Sequence, residues 1–501
     1  MGLASFSFLF PTYIIINIMN IISSRCVKIR EVTRVTPFFD STASTNDNPL
    51  PSTALALTYF DTKWFKFPPV QRLFFYRNQT SDTDSIRFNS EILPQLKHSL
   101  SLALLHYLPL AGHIMWPEPE PKPAVYYFPD QKCDGVSFVV AESSDADFDR
   151  VSGDGIREAA EYHPLVPQFS ITEDKAEVIA IQITLFPNQG FSIGVSAHHA
   201  VLDGKSTTLF IKSWAYLCKQ LKLQQQQQQQ EQTYLPPELT PCFDRTVVKD
   251  PDGIDLIYLK HWMSGSSSNR RSLNVMPVKP ENYYSNLVRM TFELNREDIN
   301  KLRDKVNEVL YSTQGGAQYL SSFVITCAHV FVWLVKARDV EANTTVRFVI
   351  TTDCRSRLDP PIPANYFGNC TGGEFGEAKA SDFMQENGVA FVAHKLSDLI
   401  KGIKRGAVLG SEDEFLNGMA KMREAQQLKI SVAGSNRFDV YGSDFGWGRP
   451  EKVEVVSIDT TGAISLAETR DGCGGFEIGV VLEKQQMEVF ASLFVDALKD
   501  L

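Results

Sequence analysis

The sequence is short of the features that mark a nucleic-acid, metal or nucleotide-phosphate protein. Its 501 residues carry a net charge of −10 and no long basic block, which argues against nucleic acid and anionic membrane surfaces as partners. The eight cysteines are scattered, with no Cys-x-x-Cys pair. Neither a disulfide framework nor a zinc knuckle is expected, and a reducing compartment, the cytosol, fits best. No glycine-rich phosphate loop and no repeat of solenoid period are present. The most apolar stretch, MGLASFSFLFPTYIIINIMNIISS over residues 1–24, has no basic flank before it and no clear cleavage site, and Pro11 interrupts it. It reads as an N-terminal extension, with Met19 a second candidate start. Membrane anchoring is the alternative, and no stable membrane association is expected.

What is there is an ordinary globular composition, 43% hydrophobic and 22% charged, in a chain too long for one core. Period-two alternation predicts a strand over 26–37. The aromatic run around Pro68 and Pro69, within 55–76, predicts a buried loop and strand. Leucines at helical spacing predict a helix from Ser90 that stops before Pro109. Two apolar runs, 178–186 and 191–199, flank the turn PNQG and predict a hairpin. A helix follows over 206–222 with Ser206 as its cap. The glutamine tract at 224–230 and the proline-rich stretch after it read as an exposed linker. In the second half, helices are expected over 321–337, 388–403 and 485–498, and strands over 346–354, 452–459, 463–469 and 476–482. This interleaving predicts an α/β protein of two similar-sized lobes of mixed sheet plus helices. Their expected limits are 25–222 and 251–501, joined by a crossover linker at 223–250.

The stretch VSAHHAVLDGKS (195–206) places His199 where the second hairpin strand gives way to a helix. A side chain there can face a cleft. A neutral imidazole can take a proton from a hydroxyl or amine, and Asp203, four residues on, can anchor the loop that carries it. A metal-ligand reading has His199 and Asp203 but no third ligand nearby. A packed core histidine is the third reading, and the spacing alone does not choose among them.

Three further segments do: DFGWG at 444–448, NYFGNC at 365–370 and LPLAG at 108–112. With HHAVLDGKS, in this order and spacing, the chain resembles the BAHD family of plant acyl-CoA-dependent acyltransferases from about residue 27 to its end, and within it the branch that acylates phenolic and flavonoid glucosides. The extension and the glutamine tract are departures from the pattern and lie outside the motifs. The resemblance implies a chloramphenicol acetyltransferase-like pair of lobes with a channel between them. It implies acyl transfer in a ternary complex, with no metal, no permanently bound cofactor and acyl-CoA as co-substrate. His199 matches the family's catalytic base, and His198 beside it supports the strand end. Asp203 is expected to turn from the cleft and pair with Arg355, or failing that Arg357. Asp444, Phe445, Gly446 and Gly448 are expected to be structural, with the Trp447 indole as a candidate oxyanion donor. Asn365 and Asn369 are candidate substrate contacts. The motifs lean towards malonyl-CoA as donor, whose carboxylate needs a cation or an amide nest; Lys205 and Arg437 are the candidates. Hydroxycinnamoyl-CoA is the alternative donor, a non-catalytic coenzyme A-binding relative is the alternative of another class, and a monomer is expected by the same resemblance.

Overall fold

The two apolar runs flanking PNQG are buried along their whole length. They pair antiparallel with Phe186 opposite Gly190 and Ile179 opposite Ala197, as the expected hairpin. The computed structural model describes residues 27–38, 53–77, 85–129, 134–227, 234–264, 271–277, 279–314, 319–403 and 427–499. The N-terminal extension and the last three residues of the glutamine tract, 228–230, lie outside the described residues.

Strands are numbered in chain order. One mixed sheet runs β1 (Lys28–Val35), β6 (Val136–Glu142), β9 (Ile179–Phe186), β10 (Gly190–Ala197), β3 (Val70–Arg77), β15 (Lys452–Val455). A second runs β13 (Thr371–Lys379), β12 (Thr345–Asp353), β14 (Gln427–Gly434), β16 (Ile464–Glu468), β17 (Phe476–Glu483), β11 (Leu287–Leu294), β7 (Arg157–Glu158). A small sheet of β2 (Thr53–Ala56), β5 (Ala124–Tyr127), β4 (His113–Met115) and β8 (Lys175–Glu177) belongs to the first half. Helices Leu93–His106 and Gly204–Gln227 pack on each other over the first core. Helices Ser322–Ala337, Gly388–Gly402 and Lys484–Lys499 cover the second. The architecture is the mixed α/β, two-lobed one the sequence predicts.

Several boundaries differ for identifiable reasons. The first long helix ends at His106, and Leu108–Ala111 form a 3₁₀ turn that accommodates Pro109. The helix expected over 206–222 begins at Gly204 and continues into the glutamines to Gln227, which are good helix formers. Its cap is Asp203 and not Ser206, because the Asp203 carboxylate accepts the Ser206 N–H at 2.7 Å. The strand expected over 452–459 stops at Val455, and the chain turns into a short helix at Ile458–Thr461.

The lobes exchange strands. β15, from the second half, completes the first sheet beside β3; β7, from the first half, completes the second beside β11. The two crossings meet at Glu454 of β15. Its carboxylate accepts from Arg157 of β7 at 2.9 Å and from Arg289 of β11 at 3.1 Å. All three side chains are nearly fully buried. Burial opposes ionisation of Glu454, but Arg289, Arg157 and Lys452 together pull its carboxyl down to about 2. Among the described residues, Glu454→Ala removes the only carboxylate paired with buried Arg157 and one of two paired with Arg289, which keeps Asp459, so it should cost about 3–5 kcal/mol of unfolding free energy. Urea denaturation at neutral pH checks this, and a midpoint equal to that of the parent chain would contradict it.

Candidate active site

β10 ends at Ala197, and the turn that follows is closed by Val201 N–H on the His198 carbonyl at 3.0 Å. Asp203 then commits both carboxylate oxygens. Oδ1 caps the helix through Ser206 N–H, while Oδ2 accepts Arg355 Nη2 at 2.9 Å and the Cys370 N–H at 3.1 Å. Arg355 is nearly fully buried. Besides Asp203 it donates to the Tyr366 carbonyl at 3.2 Å, the Gly368 carbonyl at 2.9 Å and Asp353 Oδ1 at 2.9 Å. Asp203 thus faces Arg355 across the lobe boundary, and the carboxylate is not free to ligate a metal with His199. Arg357, the fallback partner, donates to the Ile403 carbonyl instead. Among the described residues no group of three His, Cys, Asp or Glu side chains is placed to hold a metal ion.

The His199 ring is stacked flat on Trp64, with centroids 4.3 Å apart and planes 1° from parallel, and Phe67 meets it edge-on at 6.1 Å. The residue is only half-buried. Its Nδ1 is shut off from solvent without a hydrogen-bond partner, while Nε2 is the ring nitrogen that is not sealed. Burial lowers the imidazole to about 4; its own backbone carbonyl and Asp203 pull weakly the other way, and the charge of Lys63 adds to the lowering. The ring is therefore neutral at physiological pH. Its carbonyl is fixed by Asn369 Nδ2 at 2.8 Å, which also donates to Asp61 Oδ1 at 3.0 Å. Asp61 is in turn fully buried and accepts the Thr58 N–H and hydroxyl, both at 2.8 Å. His198 points into the first lobe: it is buried, its Nδ1 accepts the Ala200 N–H at 3.2 Å, and burial lowers it to about 3.

The other expected contacts are placed elsewhere. Asn369 is fully buried and positions the His199 backbone. Asn365 holds the Thr240 carbonyl at 2.7 Å. Asn369 is therefore committed to the scaffold, while Asn365 spends one amide N–H on the backbone. Lys205 is paired with Asp353 at 2.9 Å. Arg437 is exposed on the loop after β14, and its neighbour Phe438, not Arg437, reaches towards Gly204 at the start of the long helix.

DFGWG is a packing loop on the first lobe. Asp444 Oδ1 accepts the Gly446 and Gly448 N–H groups at 2.8 and 3.0 Å, and Oδ2 pairs with Lys219 at 2.6 Å. Both glycines need their lack of a Cβ, with φ of +97° and +104°. Phe445 is fully buried between Tyr76 and Trp214. Trp447 lies edge-on to Phe191 at 6.2 Å, beneath Lys222. Phe191 is at the opposite end of β10 from His199, about 20 Å along the strand. The expected oxyanion-donor role of Trp447 is ruled out by that distance.

Sequence reasoning missed the segment YFDTKWFKF (59–67). It was read only as buried aromatic structure, yet it supplies Asp61, Lys63, Trp64 and Phe67 around His199. The signal available was the density of aromatics interleaved with two lysines.

Comparisons with known proteins show the family and the fold. The model of the Transferase family matches residues 37–496. The chain belongs to this family, the BAHD acyltransferases. It is 42% identical over 487 residues to phenolic glucoside malonyltransferase 1 of Arabidopsis thaliana, covering 95% of this chain and 98% of that one. It is also 42% identical over 478 residues to the malonyl-CoA:anthocyanidin 5-O-glucoside-6''-O-malonyltransferase of the same plant, covering 93% and 97%. The crystal structure of vinorine synthase shares the fold with a TM-score of 0.64 at 20% identity, covering 93% of this chain and 98% of that one.

Two variants test how this BAHD site is built. Asp203→Ala removes the buried carboxylate partner of Arg355 and leaves only the more exposed Asp353, so turnover and thermal midpoint should fall together, with up to about 3–5 kcal/mol of stability lost. An inactive variant with an unchanged midpoint would refute the positioning role. Trp447→Phe should keep kcat within an order of magnitude of the parent; a loss of about 10²–10³, as for a deleted oxyanion donor, would reinstate the indole in the chemistry.

Proposed function

We propose that this chain is an acyl-CoA-dependent O-acyltransferase that moves a malonyl group from malonyl-CoA to a sugar hydroxyl of a phenolic, flavonoid or anthocyanin glucoside. The observation that carries the reading is the His199 ring itself: neutral, half-buried, closed at Nδ1 and open at Nε2, at the junction of the two lobes. Relatives at 42% identity carry the names of malonyltransferases of such glucosides.

With acceptor and thioester both in the channel, Nε2 takes the hydroxyl proton as that oxygen attacks the thioester carbonyl. Assistance of this kind contributes about 10²–10⁴ in rate. Holding the two substrates together adds an orientation term that can exceed it. The tetrahedral intermediate collapses by breaking the carbon–sulfur bond, and the imidazolium returns its proton to the departing coenzyme A sulfur. The ester forms, free coenzyme A leaves, and His199 is neutral again. Trp64, Phe67 and Trp262, the last edge-on to Phe67 at 6.1 Å, give the site flat apolar walls that suit a planar aglycone. The same walls would suit a hydroxycinnamoyl donor, which makes that the second reading. The proposal includes a monomeric, cytosolic enzyme; among the described residues no helix is long and apolar enough to cross a membrane.

Purified protein given malonyl-, coumaroyl- and acetyl-CoA with a panel of phenolic glucosides should yield mainly malonylated products by mass spectrometry. Preference for the aromatic thioester would establish the second reading, and no transfer from any thioester by folded protein would place the chain among non-catalytic binders. His199→Ala should lower kcat by about 10²–10⁴ while coenzyme A binding by calorimetry is retained. The active form is the neutral ring and its pKa lies at about 4. On lowering the pH, kcat/KM should therefore stay level through the ordinary histidine value of about 6.5 and fall only towards pH 4.

A further inference from the structure

The cations first considered for a donor carboxylate are committed elsewhere. Lys205 is paired with Asp353, and Arg437 is exposed on an outer loop. Other basic groups near His199 are also engaged. Arg355 is saturated by Asp203, Asp353 and two carbonyls. Arg72 is nearly fully buried, with Nη1 on the Thr208 hydroxyl at 2.9 Å and its guanidinium over Phe438, and so is closed to a ligand although its Nε has no partner. Lys66 clamps the Ser272 and Asn274 carbonyls.

Lys63 differs. Its backbone is fixed at the end of the short helix Tyr59–Thr62, where its N–H donates to the Tyr59 carbonyl at 3.2 Å. Its side chain is half-buried. Among the described residues no carboxylate comes within ion-pair distance of it and no acceptor takes its hydrogen bonds. The ammonium lies 5.5 Å from the centroid of Trp64, the indole on which His199 stacks at 4.3 Å. Those two steps put it within about 10 Å of the imidazole. The charges facing it come from the second lobe: Glu374 on β13 and the Cys354 thiol, both of which favour its protonated form against the larger effect of burial.

We propose that Lys63 is the donor-specificity residue of this site, its ammonium receiving the free carboxylate of a malonyl thioester; the assignment rests on the acyl-transfer reading above. The reach agrees. A hydroxyl on Nε2, a carbonyl carbon at near-attack distance, a carboxylate two bonds further and an ammonium at hydrogen-bond distance span about 13 Å laid end to end, and bent at the acyl carbons they cover the separation of about 10 Å. Half-burial strengthens the charge pair relative to water. A neutral acyl group gains nothing from the ammonium, so the discrimination lies in the pairing that the malonyl carboxylate alone can make. The Lys63 charge also disfavours protonation of the imidazole, so the cation that would hold the carboxylate helps to keep the base neutral.

Lys63→Met keeps the length and apolar bulk of the side chain without its charge. The test measures kcat/KM of the parent, Lys63→Met and Lys63→Arg with malonyl-CoA and with acetyl-CoA, on one glucoside. In Lys63→Met the malonyl-CoA value should fall about 10- to 100-fold, mainly through KM, while the acetyl-CoA value holds within about threefold. Lys63→Arg should recover most of the loss. The acetyl reaction also reports that the variant is folded. An unchanged malonyl value, or equal losses with both thioesters, would overturn the assignment of Lys63. A parent protein that transfers neither acyl group would instead overturn the acyl-transfer reading beneath it.

Discussion

Asp203 joins three things with one carboxylate: the turn after β10, the first turn of the Gly204–Gln227 helix, and Arg355 of the opposite lobe. A buried ion pair of this kind is weak evidence for stability, because desolvating both charges offsets most of their attraction. What it supplies is position. The guanidinium donates to Asp203 and, at the same time, to the carbonyls of Tyr366 and Gly368, so NYFGNC and HHAVLDG are fixed against each other. Asn369 then reaches from that motif to the His199 carbonyl and to Asp61. The imidazole is located by three segments far apart in sequence.

That placement also sets its electrostatics. The ring is enclosed enough for burial to keep it neutral and open enough, at Nε2, to receive a proton. Trp64 serves both ends, stacked on the base and lying under the Lys63 ammonium. The strand exchange at Glu454 supports the arrangement from behind, since each lobe's sheet is completed by the other's chain. Residues of the two lobes are therefore held to a common frame.

Much of this was legible in the sequence where the signal was local. The buried hairpin, the strand-to-helix junction at His199 and the helix after it follow from apolar periodicity and turn residues. The Asp203–Arg355 pairing came from the family resemblance and not from spacing. Reading failed where long-range geometry decides. Nothing in KVEV indicates that it completes the sheet of the other lobe, and a serine after Asp-Gly looks like a cap until the aspartate is seen to take that place. The tryptophan of DFGWG looked chemical because it is aromatic and flanked by glycines, but its partners are Phe191 and Lys222, a strand's length from the base. Asn365 and Asn369 were candidates for substrate contact or for packing and turn roles, and both donate to backbone carbonyls. Lys63 and Trp64 went unnoticed because a short helix followed by a proline pair brings them to His199 only after folding.

The account depends on His199 being an uncharged base in the resting protein, and nuclear magnetic resonance can read that directly. In protein carrying ¹³C-labelled histidine, the His199 signal, assigned by its absence in His199→Gln, should titrate near pH 4 with its open nitrogen unprotonated above that. A midpoint at or above the ordinary histidine value of about 6.5 would contradict the claim.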